Sequence, residues 1–284
     1  MIVVTGATGQ LGRLVMDALL HTVPAAQVVA AVRQPAKAAD LAARGVQVRR
    51  ADYSQPATLD AAFQGATQLL LISSSEVGQR VAQHRAVIEA AQRAQVQLLA
   101  YTSLLHADTS PLGLAAEHQA TEALLRASGL PVVLLRNGWY TENYTASVPA
   151  ALAHGVLLGS AGTGRIASAA RADYAAAAAA VLTRPDQAGR VYELAGDASY
   201  TLSEFAAALA VQSGQAVAYQ NLPEADYRTA LLGAGLPEGL ASLLADSDAG
   251  AAQGALFDDQ RQLSQLIGRP TTPLATTLRA ALTT

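Results

Sequence analysis

The residues best suited to chemistry begin near the start of the chain, at Thr5-Gly6-Ala7-Thr8-Gly9-Gln10-Leu11-Gly12, between a β-branched run and an amphipathic stretch. The spacing is Gly-x-x-Gly-x-x-Gly, one residue away from the usual Gly-x-Gly-x-x-Gly. Glycine at such positions permits a turn of positive φ, lets a pyrophosphate approach the backbone and allows helix to pack on strand. The N–H groups opening the next helix, with its dipole, attract phosphate. Strand, turn and helix in that order favour dinucleotide binding over a purely structural turn. Downstream, where an NAD site places an Asp or Glu for the ribose 2′-hydroxyl, the chain instead reads Ala31-Val32-Arg33. A guanidinium there can clamp a 2′-phosphate and stack on adenine. The competing account makes Arg33 a solvated surface residue. Lys37 offers a second positive charge, and NADP(H) is the expected cofactor.

Two further groups fall at strand ends. Asp52 either meets the adenine amino group or caps the helix that starts near Pro56. Ser73, Ser74 and Ser75 follow the fourth strand, where small hydroxyls can line ribose and pyrophosphate, cap the next helix, or do both. Other chemistries are excluded by count. There is no cysteine, hence no thiolate catalysis or cysteine metal site, and no pair of histidines has metal-ligand spacing beside a carboxylate, so no metal is expected. Lys37 is the only lysine and lies between Ala36 and Ala38, which removes a P-loop. No Gly-x-Ser-x-Gly elbow occurs. A net charge of -3 without basic clusters speaks against nucleic acid. The chain lacks the pattern of a signal peptide and a bilayer-spanning apolar run, so a cytoplasmic protein without membrane insertion is expected.

These groups need a scaffold, and the first half supplies it by repetition. Strands are expected at Ile2–Thr5, Gln27–Val32, Val46–Arg50, Gln68–Ile72, Leu98–Thr102 and Val132–Arg136. Helices are expected at Gln10–His21, Pro35–Arg44, Pro56–Phe63, Val77–Ala94 and Leu112–Ser128. Strands apolar on both faces and separated by helices imply an α/β fold, a doubly wound parallel sheet of Rossmann type. Beyond Arg136 the rhythm breaks. Helices are expected at Thr141–Ala153, Ala172–Leu182 and Leu202–Ser213, and short strands at Arg190–Leu194 and Val217–Gln220. The rest of the tail is helical between glycine and proline breaks. The expected division is an NADP-binding Rossmann domain over residues 1–136. Residues 137–284 then hold its remaining elements and a smaller, mainly helical C-terminal lobe facing the substrate.

These features resemble the short-chain dehydrogenase/reductase superfamily, in its atypical NmrA-like branch. Most active members carry Tyr-x-x-x-Lys on the fifth helix, whereas this chain has Glu117-His118-Gln119-Ala120-Thr121-Glu122 there. Longer words sharpen the resemblance: Leu69 to Arg80, Tyr101 to Leu114, Leu135 to Tyr144, Ala245-Asp246-Ser247-Asp248 and Leu256-Phe257-Asp258-Asp259. They are similar to the bacterial NADPH-dependent quinone oxidoreductases, with triphenylmethane reductases more distant. That resemblance implies hydride transfer from NADPH to a quinone, and the chemistry suits the missing lysine. Reducing a ketone makes a strongly basic alkoxide that needs a proton donor. Reducing a quinone makes a hydroquinone anion, a far weaker base, so alignment and a hydrogen bond or two suffice.

The resemblance also implies that Asn137, Gly138, Trp139 and Tyr140 pass close to the nicotinamide. The Asn137 amide would bond the carboxamide or the quinone oxygen. Trp139 and Tyr140 would wall a flat acceptor, with the Tyr140 hydroxyl a donor, although Trp139 is equally well placed as core. Arg171 resembles a cofactor-side arginine, against the alternative of an ion pair at a helix end. His106 and His118 are candidates for holding a proton near the acceptor, against ordinary surface or hydrogen-bonded roles; His21, His84 and His154 read as structural. A non-catalytic NADP(H)-binding redox sensor, or a reductase of enones and triarylmethane dyes, are the other readings. A homodimer is compatible with the resemblance.

Overall fold

The computed structural model describes residues 1–283. It divides into two compact units: one holds Met1–Ala107, Ala116–Asn137 and Ala172–Tyr192, the other Asp108–Ala115, Gly138–Arg171 and the chain from Glu193 onward.

The first unit alternates strand and helix as β1 (Ile2–Thr5), α1 (Gln10–Leu20), β2 (Val28–Val32), α2 (Ala39–Ala43), β3 (Gln47–Arg50), α3 (Pro56–Phe63), β4 (Gln68–Leu71), α4 (Arg80–Arg93), β5 (Leu98–Leu104), α5 (Ala115–Ala127) and β6 (Val132–Asn137). The sheet runs β3-β2-β1-β4-β5-β6, with Val191–Leu194 as its seventh strand. Strand β1 pairs in parallel on both sides, Ile2 lying opposite Val28 of β2 and Gln68 of β4. The order therefore reverses between β1 and β4, and the crevice beyond their carboxyl ends is where such sheets take ligands. All residues of β1, β2 and β5 are buried. Val3, Val29, Leu69, Leu71 and Leu99 pack with Phe63 of α3 and Val87 and Ile88 of α4 in one apolar core. Each such side chain contributes ~1.5–3 kcal/mol on leaving water.

Several boundaries differ from the sequence expectation, each for a local reason. Helix α4 starts at Arg80 rather than Val77, because Gly78 takes φ +86° and Val77 turns out to solvent. Strand β5 continues two residues past Thr102, through Ser103 opposite Arg136 and Leu104 opposite Asn137. Polar residues are tolerated there because Glu122 of α5 accepts from the Ser103 hydroxyl at 2.6 Å and from Arg136 Nε and Nη2 at 3.0 and 2.9 Å. The expected helix over Thr141–Ala153 is two helices, Thr141–Thr145 and Val148–His154. Pro149 lacks the N–H that would reach the Thr145 carbonyl in a continuous helix.

The second unit carries a two-stranded parallel sheet, Val156–Gly159 with Ala218–Asn221, among helices. One of these, Leu202–Ser213, opens with a capping box between Thr201 and Glu204 and closes on Gly214 in the left-handed conformation. Its Phe205 meets the rings of Tyr144 and Tyr200 at 5.9 and 5.8 Å between centroids. Within this packing Asp248 is buried; it accepts from the Tyr144 hydroxyl at 2.8 Å and the Ser160 N–H at 2.9 Å. Among the described residues, no helix is long and apolar enough to cross a membrane.

Candidate cofactor and active site

The turn after β1 is shaped by what its glycines allow. Gly6 takes φ +60°, and its carbonyl accepts the Gly9 N–H at 2.9 Å. A Cβ on Gly12 would collide with the Gly6 carbonyl oxygen and stand 2.8 Å from the Ala7 Cα, so only glycine lets α1 come this close to the turn. The first helical bond of α1 runs from the Arg13 N–H to the Gly9 carbonyl. The amides of Gln10, Leu11 and Gly12 thus have no acceptor within the helix. Gly9 caps α1 without a side chain, and no acid lies in the first turn. The helix end therefore keeps its full attraction for an anion.

Around this turn opens a cavity of about 620 Å³, lined by the glycine turn, the end of β2, the chain after β3 and Ser73 to Glu76. That volume lies in the range of small-molecule and cofactor sites. Of the residues singled out in the sequence, Gly6, Thr8, Gly9, Gln10, Leu11, Gly12, Arg33, Lys37, Asp52, Ser73, Ser74 and Ser75 line it. Ala7 lies beneath the turn and is fully buried. The glycine cradle, the cationic pair and the row of hydroxyls together fit a phosphorylated dinucleotide. Asp52 lines the cavity, and its carboxylate accepts the Ser54 N–H at 3.0 Å and the Gln55 side-chain amide at 3.2 Å; it does not cap α3, whose N-cap is Gln55 without a side-chain bond.

Sequence reading missed four polar lining groups, Gln34, Tyr53, Glu76 and Gln83, beside the apolar Val32, Ala51 and Ile72. Tyr53 donates to the Thr5 hydroxyl at 2.6 Å, and burial pushes its phenol up to about 12, so it stays protonated as a donor. Arg33 Nη1 donates to Glu76 Oε1 at 2.7 Å, and Gln83 Nε2 donates to Glu76 Oε2 at 2.7 Å. The bond from Gln83, followed by that from Arg33, holds the Glu76 carboxyl below the usual carboxylate range.

A buried polar network fixes the serine segment from behind. Ser74 gives its N–H to His84 Nε2 at 2.9 Å, receives Arg80 Nε on its carbonyl at 2.7 Å and gives its hydroxyl to Gln83 Oε1 at 2.5 Å. A backbone N–H only donates, so His84 Nε2 is the bare nitrogen, and Nδ1 carries the proton toward Thr121 Oγ1 at 3.0 Å. Burial, reinforced by the Arg80 charge, lowers His84 to about 3, so the ring is neutral at physiological pH. His118 is lowered to about 3 by the same causes together with His84, and it is buried against the Tyr101 hydroxyl at 2.7 Å. It has the environment of a packed, bonded histidine rather than of a group that exchanges protons with a substrate.

Asn137, Gly138, Trp139, Tyr140, Arg171 and His106 do not line the cavity around the glycine turn. Asn137 ends β6 as a buried residue, and its carbonyl accepts the Leu105 N–H at 3.0 Å. Trp139 is 6% exposed, with its ring 6.3 Å from that of Tyr144. Arg171 opens the helix Arg171–Thr183. Its backbone N–H donates to both Glu142 carboxylate oxygens at 2.9 and 3.0 Å, and its guanidinium lies 4.7 Å from the Tyr140 ring centre. Glu142 is thus the anionic partner of that helix start, while the Arg171 side chain stacks on Tyr140. His106 sits in a turn at φ +50°.

Comparison with known proteins agrees with this geometry. A family model described as NAD(P)H-binding matches residues 6–185. Quinone oxidoreductase 2 of Escherichia coli (strain K12) is 63% identical over 97% of this chain and 96% of its own. The crystal structure of the NADPH-dependent E. coli enzyme complexed with NADPH superposes with a TM-score of 0.97, covering 99% of this chain and all of that one. Triphenylmethane reductase of Citrobacter sp., complexed with NADP(H), is 38% identical with a TM-score of 0.95 over 99% of this chain and 100% of that one. NmrA, a negative transcriptional regulator, is 19% identical at a TM-score of 0.76 over 98% of this chain and 94% of its own, a likeness of fold alone.

Proposed function

This chain belongs to the NAD(P)H-binding family, and on that premise we propose that it reduces quinones to hydroquinones with NADPH, by direct hydride transfer and without a Tyr-Lys pair. The observation that carries the reading is the 63% identity, over nearly the full length of both chains, to E. coli quinone oxidoreductase 2. The bound dinucleotide supplies the hydride. The chain's own part is to hold and align. The amides opening α1 and the turn from Gly6 to Gly12 take the pyrophosphate. Arg33 and Lys37 take the 2′-phosphate, Asp52 faces the adenine, and Ser73, Ser74 and Ser75 line the ribose side. Asn137, Gly138, Trp139, Tyr140 and Arg171 serve the nicotinamide end. The Asn137 amide and the Tyr140 hydroxyl steady the quinone oxygen, with His106 as a proton-holding group. Hydride addition gives the hydroquinone monoanion, and the single proton that completes the product passes from water by way of His106, a transfer that a weakly basic anion makes without a strong acid.

Following NADPH oxidation with a panel of small quinones, triarylmethane dyes and enones tests this. Turnover with quinones, at a rate well above that with dyes or enones, is the expected outcome. Tight binding without turnover would replace the enzyme by a sensor, and turnover with dyes alone would move the substrate class. The dye reading has its own support in the likeness to triphenylmethane reductase, since both acceptors are electron-poor, conjugated and take a hydride. Cytoplasmic residence and a homodimeric state complete the proposal, on the family resemblance alone.

A further inference from the structure

The cavity holds one arrangement that dinucleotide binding does not require. Arg33, the residue assigned to the 2′-phosphate, already has an anion on it: Glu76 Oε1 at 2.7 Å. The pair is open to solvent, with side chains 65% and 45% exposed, so burial does not force it together. Glu76 is nevertheless held in place from two sides. Its second carboxylate oxygen accepts from Gln83, which in turn accepts the Ser74 hydroxyl. Its N–H donates to the Ser74 hydroxyl at 3.2 Å, and two residues on, the Gly78 N–H donates to Glu117 at 2.8 Å. The backbone around Glu76 is thus tied down, and the carboxylate leaves the guanidinium only by turning its side chain against the bond from Gln83.

We propose that Glu76 is a specificity-determining residue that competes with the 2′-phosphate for Arg33. This rests on the cofactor reading above. A phosphate arriving at Arg33 must displace a carboxylate from the same planar fork, and the two anions repel each other while both are near. A ligand without the 2′-phosphate leaves the ion pair intact and meets no such opposition. Glu76 therefore weakens the binding of 2′-phosphorylated nucleotides selectively, which keeps a strongly charged coenzyme exchangeable. In its absence, the guanidinium stands ready for the phosphate.

Two probes that differ only in the group concerned are adenosine 2′,5′-bisphosphate and adenosine 5′-monophosphate. Titration calorimetry of the whole chain with each, in the wild type and in Glu76→Gln, reads the effect without any turnover. The glutamine keeps the shape and the contact to Gln83 while removing the charge. The bisphosphate is expected to bind about three- to tenfold tighter to Glu76→Gln, the scale of an exposed ion pair plus like-charge repulsion. The monophosphate should stay within about twofold, since its binding leaves the pair unopposed. Glu76→Ala is expected to behave like the glutamine variant. A wild type that prefers the bisphosphate while both variants leave that preference unchanged, or weaken it, would overturn the competitor role and leave the cofactor site standing. Equal tightening of both probes would overturn it as well, because the effect would then concern the cavity's overall charge. A wild type that binds neither probe would overturn the dinucleotide reading itself.

Discussion

Arg33 leaves the end of β2 with most of its side chain in solvent, and a planar fork in that position gains most from a partner with two or more acceptor oxygens. A phosphate meets that requirement better than a carboxylate, because it offers three oxygens and a larger charge. Arg33→Ala is expected to weaken NADPH binding by about tenfold or more while changing NADH binding little, read by fluorescence titration of both coenzymes. Equal loss for both would place Arg33 outside the phosphate site. Residues of this kind are readable from sequence because their position is counted from a turn and a strand end, both local signals. Glu76 is not readable in the same way. Its place opposite Arg33 depends on β4 lying beside β1, a pairing between segments far apart in the chain. Gln83 left a fainter trace. The inward stripe of α4 reads Arg80, Gln83, His84, Val87, Ile88, Ala91, and its polar beginning marks where the buried face meets a site.

At the scale of elements, the helix Glu238–Ala252 brings a carboxylate into the aromatic packing of the second unit. Burial pushes Asp248 up to about 6, although the Ser160 N–H and the Tyr144 hydroxyl both favour its charged form. Its negative charge helps to raise Tyr144, Tyr200, Tyr219 and Tyr227, though for each of them burial is the larger cause. An acid whose folded value lies above its unfolded one is protonated in both states at low pH. It then lowers stability as pH rises from about 4 through about 6, by ~3 kcal/mol in all. Urea denaturation at pH 4.5 and pH 7.5 is expected to show about 2 kcal/mol of this loss in the wild type and none in Asp248→Asn, apart from an offset independent of pH where the new amide meets the Ser160 N–H. The same slope in both proteins would assign the dependence to other groups. The strands and helices of the first unit follow period and punctuation closely, because each is a short local pattern. The break at Pro149 carries its own sequence mark in the missing N–H. The extension of β5 does not, since it relies on Glu122 of another element to satisfy Ser103 and Arg136.

For the molecule as a whole, the reversal of strand order beside β1 and the glycine turn at its end determine where a ligand sits, and both follow from the order of elements in the chain. The identity of the acceptor does not, because flat conjugated molecules make similar demands on aromatic walls and on a hydride donor. Charge is distributed in an unusual way on this scaffold. Eighteen of the nineteen basic residues are arginine, and the single lysine, Lys37, lies in the lining of the cavity. A reagent that acylates lysine side chains therefore has one ε-amine to find in these 284 residues. Peptide mapping after treatment with an activated ester is expected to locate the lysine adduct at Lys37 and to show its formation slowed several-fold by saturating NADPH. Labelling at an unchanged rate would move Lys37 away from the coenzyme. Acylation there also removes one of the two cations assigned to the 2′-phosphate, so the labelled protein is expected to hold NADPH more weakly than the untreated one.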